Sequence, residues 1–276
     1  MYNPRMLPFS KMHGLGNDFV VIDARDLPEQ DWPALSRAMC DRHLGIGADQ
    51  LLLVCRSERA DVSMRLFNTD GFEAEMCGNG IRCVGKYVYE HGIARTPKLS
   101  IETLGGVKKL HLILDGATVL GARVSMGVPR MVFERERIEF APGGQHPSCL
   151  ELTAVDMGNP HAVAFASAPV GDFPLDFVGP RVERHALFPQ RTNFEIAFVE
   201  SPRSMQVRVW ERSAGLTLAC GTGACAATAV ARRRGLVEDR VTVKLPGGPL
   251  SIEWDGSGEI VMTGPATHVF DGHWGS

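Results

Sequence analysis

No apolar run in this sequence approaches the roughly 20 residues that a membrane-spanning helix needs. Residues 1–14 contain no long hydrophobic core of a secretory signal, so none is expected. Basic residues are not in excess. The chain has 29 Lys and Arg against 32 Asp and Glu, a formal net charge of -3, and nothing marks a nucleic-acid or anionic-membrane partner. There is no Walker motif and no lysine in a context that argues for a pyridoxal Schiff base. No stretch is of low complexity, and none reads as a long flexible linker. Cys-x-x-Cys is also absent. The seven cysteines are an odd number without the spacing of a disulfide framework, which suggests thiols in a reducing compartment and a cytoplasmic protein.

What remains is an ordinary globular composition, 44% hydrophobic and 22% charged, in 276 residues. That length allows one large domain or two of usual size, with a full core. Within it one short stretch occurs twice. Cys77-Gly78-Asn79-Gly80 precedes Ile81, Arg82 and Cys83, and Cys220-Gly221-Thr222-Gly223 precedes Ala224 and Cys225. Each opens a helical stretch. The first runs to about Glu90 and stops at Gly92, and the second runs through Ala231 and stops at Gly235. A thiol therefore sits at each helix start beside exposed backbone N–H groups, a position that favours thiolate and can hold an anion.

The surroundings repeat as well. Cys220 follows Cys77 by 143 residues, and Gln50 matches Asn193 at the same offset. Arg65, Phe67 and Asn68 match Arg208, Trp210 and Glu211 at 143, and Gly92-Ile93 matches Gly235-Leu236. Gly16-Asn17 and Gly105-Gly106 match Gly158-Asn159 and Gly247-Gly248 at 142. Six matches in one order at a nearly constant offset argue for two copies of one unit, too long for a solenoid repeat. They imply two similar domains related by a pseudo-twofold axis, with a boundary near Val119 to Met126.

The first copy reads as a turn at Gly14-Leu15-Gly16, a strand over Phe19–Ile22, a helix over Trp32–Cys40 after Asp31, and a loop through Gly45, Gly47 and Asp49. Strands follow over Gln50–Cys55 and Val62–Phe67, then the central helix. Leu99–Glu102, Val107–Leu114 and Val119–Val124 complete the copy as strands, with turns at Gly105-Gly106 and Asp115-Gly116. Ala141-Pro142-Gly143-Gly144 reads as a surface turn of the second copy.

Pseudo-symmetry would set the two thiols around one interdomain cleft, a common place for a ligand. Two opposed thiols suit removal of a proton from one face of a carbon and delivery to the other, one as thiolate base and one as thiol acid. If that carbon is α to a carboxylate, backbone N–H groups around Gly78, Asn79, Gly221 and Thr222 can stabilise the charge that develops. Other readings stand beside this one. A cysteine outside disulfides is usually a small buried hydrophobe, and Cys83, Cys225, Cys40, Cys55 and Cys149 are read that way. A Cys77–Cys83 disulfide would span about 9 Å along a helix, too far for a bridge. The cysteine and histidine spacings do not fit a zinc site. Gly221-Thr222-Gly223-Ala224-Cys225-Ala226 does match G-x-G-x-x-A, with Asp239 18 residues beyond Gly221, but residues 213–219 do not read as the strand a dinucleotide fold requires.

Five segments together resemble the diaminopimelate epimerase family. They are Lys11-Met12-His13-Gly14-Leu15-Gly16-Asn17-Asp18-Phe19, Met76-Cys77-Gly78-Asn79-Gly80-Ile81-Arg82-Cys83, Gly158-Asn159-Pro160-His161, Arg191-Thr192-Asn193, and Glu211-Arg212 with Ala219-Cys220-Gly221-Thr222-Gly223-Ala224-Cys225. They span nearly the whole chain. The resemblance implies an isomerase that interconverts LL- and meso-diaminopimelate, in lysine and peptidoglycan precursor biosynthesis, with no cofactor and no metal. It implies an α/β protein of the α+β type, built of two pseudo-symmetric domains from an internal duplication. Each domain would be a mixed sheet wrapped around a central helix, with the active site in the interdomain cleft. The expected domains are residues 1–122, to which 266–276 return, and 123–265. A homodimer is also implied.

Carried over residue by residue, Cys77 and Cys220 are the acid–base pair. Gly78, Asn79, Gly221 and Thr222 hold the reacting carboxylate. Asn17, Gln50, Asn68, Asn159, Asn193, Glu211 and Arg212 line the substrate site. Arg212 suits a distal carboxylate, and Glu211 can accept from an ammonium. His161 and Glu211 support catalysis, and His13 is read as packing that supports the first loop. Two positions depart from the family pattern: Ser213 stands for a glycine and Leu216 for a glutamate. The alternatives are a two-cysteine racemase acting on proline or hydroxyproline and a non-enzymatic amino-acid-binding module. The latter would bind its ligand without exchanging the α-proton.

Overall fold

The computed structural model describes residues 6–140, 147, 149–212 and 214–275. The turn read at 141–144 and the departure at Ser213 lie outside them. The chain forms two compact units. One comprises the described residues through Val124 together with those from Gly264 onward, and the other runs from Ser125 to Thr263.

In the first unit, β1 (Met6–Gly14) turns back into β2 (Asn17–Asp23) through Leu15 and Gly16, at φ 58° and 83°. Two consecutive left-handed residues give the hairpin turn whose twist matches its strands. α1 (Trp32–Cys40) begins where the Asp31 side chain accepts from Ala34 N, with proline in its first turn. β3 (Gln50–Cys55), β4 (Val62–Asn68), α2 (Gly78–Glu90), β5 (Lys98–Thr103), β6 (Gly106–Asp115) and β7 (Thr118–Gly127) follow. β1–β2, β3–β4, β5–β6 and β6–β7 are antiparallel, whereas β2–β3 and β4–β5 are parallel.

The second unit contains β8 (Arg130–Glu139), β9 (Cys149–Asp156), β10 (Pro160–Phe165), α3 (Leu175–Glu183), β11 (Asn193–Ser201) and β12 (Ser204–Glu211). It continues with β13 (Gly215–Thr217), α4 (Gly221–Arg233), β14 (Arg240–Leu245), β15 (Gly248–Glu253) and β16 (Ile260–Pro265). Its pairings repeat the first unit's. β9–β10, β11–β12 and β14–β15 are antiparallel, and β10–β11 and β12–β14 are parallel. β8 lies antiparallel to β9, as β17 (Thr267–Gly275) lies antiparallel to β1. The duplication read from the residue offsets is thus a duplication of strand order, direction and helix placement.

Each sheet encloses one helix. α2 packs against β1, β2, β3, β5 and β6, and α4 against β9, β10, β11, β12, β14 and β15. A helix surrounded in this way cannot keep a polar face. Gly223 through Ala231 are all buried in α4, and their small side chains let the strands approach. On the outer face of the first sheet, α1 seals Val20, Ile22, Leu51, Leu53 and Phe67 with Trp32 and Met39. α3 seals Ala162, Phe194 and Ile196 of the second with Leu175, Val178 and Val182. Burial of each large aliphatic side chain here contributes about 1.5–3 kcal/mol. Among the described residues, no helix is long and apolar enough to cross a membrane.

Candidate active site

The two cysteines occupy the same place in the two units. Cys77 is the N-cap of α2 and its Sγ accepts from Gly80 N at 3.4 Å. Cys220 is the N-cap of α4 and its Sγ accepts from Gly223 N, also at 3.4 Å. Both have extended backbone, so the side chain folds back over the first turn as Ser or Asp does in an ordinary cap.

Around Cys77 the first motif is a support for one amide. Asn17 Nδ2 donates to Asp49 Oδ2 at 2.8 Å, which turns Asn17 Oδ1 toward Asn79 Nδ2 (3.1 Å) and the Cys77 thiol (3.6 Å). Asp49 is held by Arg42, which also pairs with Asp18, and Asp18 accepts from the buried Lys11 at 2.6 Å. Asn79 Oδ1 accepts from Arg82, a fully buried guanidinium that also donates to Gly78 O and Pro265 O. A Cβ on Gly14 would stand 2.9 Å from Arg82 Nη2 and 3.2 Å from Asn79 Cβ, so a larger residue there would displace the guanidinium. His13 Nδ1 accepts from Gly16 N, which supports the first loop as expected. Gln50 and Asn68 face each other across β3 and β4, with Gln50 Nε2 donating to Asn68 Oδ1 at 2.8 Å.

Around Cys220 the pairing of strands lines up a second set. His161 of β10 pairs with Asn193 of β11, and Phe194 pairs with Trp210, so Asn193 and Glu211 come next in register. Asn193 Nδ2 donates to Pro160 O, and its Oδ1 accepts from Arg212 N. Glu211 Oε1 accepts from the Thr217 hydroxyl at 2.7 Å. Asn159 Oδ1 lies 3.0 Å from His161 Nε2, and Thr222 Oγ1 lies 3.5 Å from Cys220 Sγ. Leu216 is 51% exposed on β13, where it pairs with Trp210.

One electrostatic expectation needs correction. A thiol at a helix start should favour thiolate, yet the Cys220 thiol is pushed well above its ordinary value. Burial is the main cause, and the carboxylates of Glu211 and Glu195 add to it, against smaller help from Thr222 and Gly223 N–H. Burial also raises Glu211, opposed by the Thr217 hydroxyl. Cys83 is pushed up to about 12 and Cys40 and Cys55 to about 11, chiefly by burial, which keeps these packing residues as thiols. All seven cysteines are outside disulfides.

The sequence matches the family model for diaminopimelate epimerase over residues 9–132 and 153–269. The chain belongs to the diaminopimelate epimerase family. It is 49% identical over 275 residues to the diaminopimelate epimerase of Moorella thermoacetica, covering 96% of this chain and 98% of that one. It is 47% identical over 280 residues to that of Desulfitobacterium hafniense, covering 95% and 96%. Membership of the diaminopimelate epimerase family makes the chain an isomerase, as the motifs implied. Two solved structures share the fold. A hydroxyproline epimerase from Agrobacterium vitis, with bound trans-4-hydroxy-L-proline, has TM-score 0.77 at 14% identity, over 100% of this chain and 94% of that one. A phenazine biosynthesis protein of the PhzF family from Bacillus anthracis has TM-score 0.71 at 16% identity, over 98% and 99%.

Several residues that hold these motifs in shape were given no role in the sequence reading: Asp49 of the first loop, Asp18 and Arg82 inside quoted motifs, and Arg42, Thr217 and above all Glu195. Glu195 is fully buried, with Oε1 2.7 Å from His161 Nδ1. Its signal was available. At the offset of 143 it stands opposite Leu52, a carboxylate in a place the first copy keeps apolar.

Proposed function

We propose that this chain interconverts LL- and meso-diaminopimelate without a cofactor, with Cys77 and Cys220 as the acid–base pair. The observation that carries this reading is the equivalence of the two thiols, each folded over the start of the enclosed helix of its own unit. One thiolate removes the α-proton, and the other thiol delivers a proton to the opposite face. As the proton leaves, negative charge grows on the α-carboxylate. The backbone N–H groups at the starts of α2 and α4, around Gly78, Asn79, Gly221 and Thr222, are suited to stabilise it.

The neighbouring side chains fit a zwitterionic diacid. Glu211 accepts from the ammonium, Arg212 pairs with the distal carboxylate, and the amides of Asn17, Gln50, Asn68, Asn159 and Asn193 supply donors and acceptors. The raised proton affinity of Cys220 also gains a meaning. An ammonium bound at Glu211 offsets the carboxylate charge that opposes the thiolate, so substrate binding itself eases deprotonation of Cys220. We further read the chain as a cytoplasmic homodimer, on its thiols and its family.

The test is to incubate the purified protein with LL-diaminopimelate in deuterated water and follow the product by NMR. Meso product carrying one solvent deuterium at one α-carbon, at a rate unaffected by a chelator, is expected. Binding without exchange, or activity that is lost on chelation and restored by a metal, contradicts the reading.

A further inference from the structure

We propose that Glu195 is a positioning residue: it keeps a proton on His161 Nδ1, so that Nε2 is the only ring nitrogen available to the rest of the site. His161 pairs with Asn193 and Val163 with Glu195 between parallel β10 and β11, which sets the two side chains two residues apart on one face. That face meets the start of α4, since a Cβ on Gly223 would stand 2.7 Å from Glu195 Oε1 and 3.3 Å from Cys220 Sγ. Both side chains are 0% exposed and joined at 2.7 Å. An ionised carboxylate can only accept, and in this arrangement Nδ1 is the donor. The other ring nitrogen lies 3.0 Å from Asn159 Oδ1, an acceptor to which Nε2 donates when it too carries a proton.

The duplication supplies an internal comparison. Phe19 pairs with Gln50 in β2 and β3 as His161 pairs with Asn193, and Leu52 lies against Gly80 as Glu195 lies against Gly223. The first unit therefore builds the same wall from Phe19 and Leu52, both buried. The fold does not need a buried carboxylate and imidazole there. Glu195 Oε2 is buried without a hydrogen-bond partner among the described residues, a further sign that packing alone does not explain the residue. A buried carboxylate that holds an imidazole in one tautomer is a recurring device where the opposite nitrogen must exchange or share a proton.

The inference deepens the epimerase reading and rests on it only for its kinetic arm. The direct measurement is 15N NMR of the histidine-labelled wild-type protein, with His161 assigned by its loss in His161→Phe. A protonated, hydrogen-bonded Nδ1 is expected. In Glu195→Gln, which keeps the shape, the ring should shift toward the other tautomer or a mixture. With diaminopimelate, kcat should fall between about 10-fold and 10⁴-fold while KM stays within about 3-fold. An unprotonated Nδ1 in the wild type overturns the proposal without any variant. So does a Glu195→Gln protein whose His161 signals or kcat match the wild type. If the protein has no epimerase activity at all, the ring signals still decide the matter.

Discussion

The buried pair can be exchanged for the residues that the protein itself uses at the same places in its first unit. In His161→Phe, the Glu195 carboxylate loses its partner while remaining fully buried. Leaving such a charge uncompensated costs about 3–5 kcal/mol. In Glu195→Leu, the Nδ1–H of His161 is left without an acceptor, a loss of about 1–3 kcal/mol. Made together, the two changes remove both polar groups and restore the Phe19 and Leu52 pattern of β2 and β3. Replacement of a buried pair by apolar side chains of similar volume is often neutral or stabilising. The double variant should therefore lie close to the wild type, within about 1 kcal/mol, with a coupling energy of about 4–8 kcal/mol between the sites, the sum of the two single losses. Urea unfolding of the four proteins, with m unchanged, measures it. The double variant should at the same time lose most of its activity. A double variant destabilised by the sum of the single losses would refute the reasoning, because the carboxylate and imidazole would then be structural in their own right.

Asp18 carries a second prediction. Burial alone would raise its pKa, but hydrogen bonds and charge from Arg42 and Lys11 hold it down, from 3.8 to about 2. A depressed carboxylate stabilises the fold above its unfolded value, and that stabilisation is lost as pH falls through the folded one; the difference is worth about 2 kcal/mol. Asp18→Asn should lose that amount at neutral pH and show a flatter acid-unfolding curve, whereas an unchanged curve would count against the network. Thr217→Val removes the hydroxyl that opposes the rise burial imposes on Glu211, so the acid limb of kcat/KM should move to higher pH while the alkaline limb stays in place. A profile that does not move would remove Glu211 from the titrating set.

Much of this was legible in the sequence, for identifiable reasons. The turn at Leu15-Gly16 and the stops at Gly92 and Gly235 rest on positive φ, which glycine advertises. α1 and β3 have a cap and an apolar run of clear length, and their spans coincide with those read from the residues. The thiol-capped helices were marked by repetition. β8 was not read, because Arg-Met-Val-Phe-Glu-Arg-Glu-Arg-Ile-Glu buries only one residue and shows little alternation. α3 was not read either, since it has no side-chain cap and carries Pro180 inside. The site residues named from motifs fall at the helix starts, on the adjoining strands, or, for Asn159 and Arg212, one residue beyond a strand end. The supports beneath them did not announce themselves. Asp49 and Arg82 act on Asn17 and Asn79 through contacts 32 and 3 residues apart. Pattern reading finds motif residues more readily than the side chains that orient them. The high proton affinity of Cys220 was missed for a related reason: it depends on burial and on two carboxylates brought in from β11 and β12.

The central claim is that two thiols serve opposite faces of one carbon. The most direct measurement gives Cys77→Ala and Cys220→Ala both isomers of a diaminopimelate analogue with a leaving group at the β-carbon, and follows elimination. Neither variant should epimerise at the unmutated rate. Each retains one thiol, and loss of a base costs about 10²–10⁴ in rate, so a half-reaction that needs only the surviving thiol stays measurable. The account predicts opposite isomer preferences in the two variants. The same preference in both, or full epimerisation by either, would contradict it.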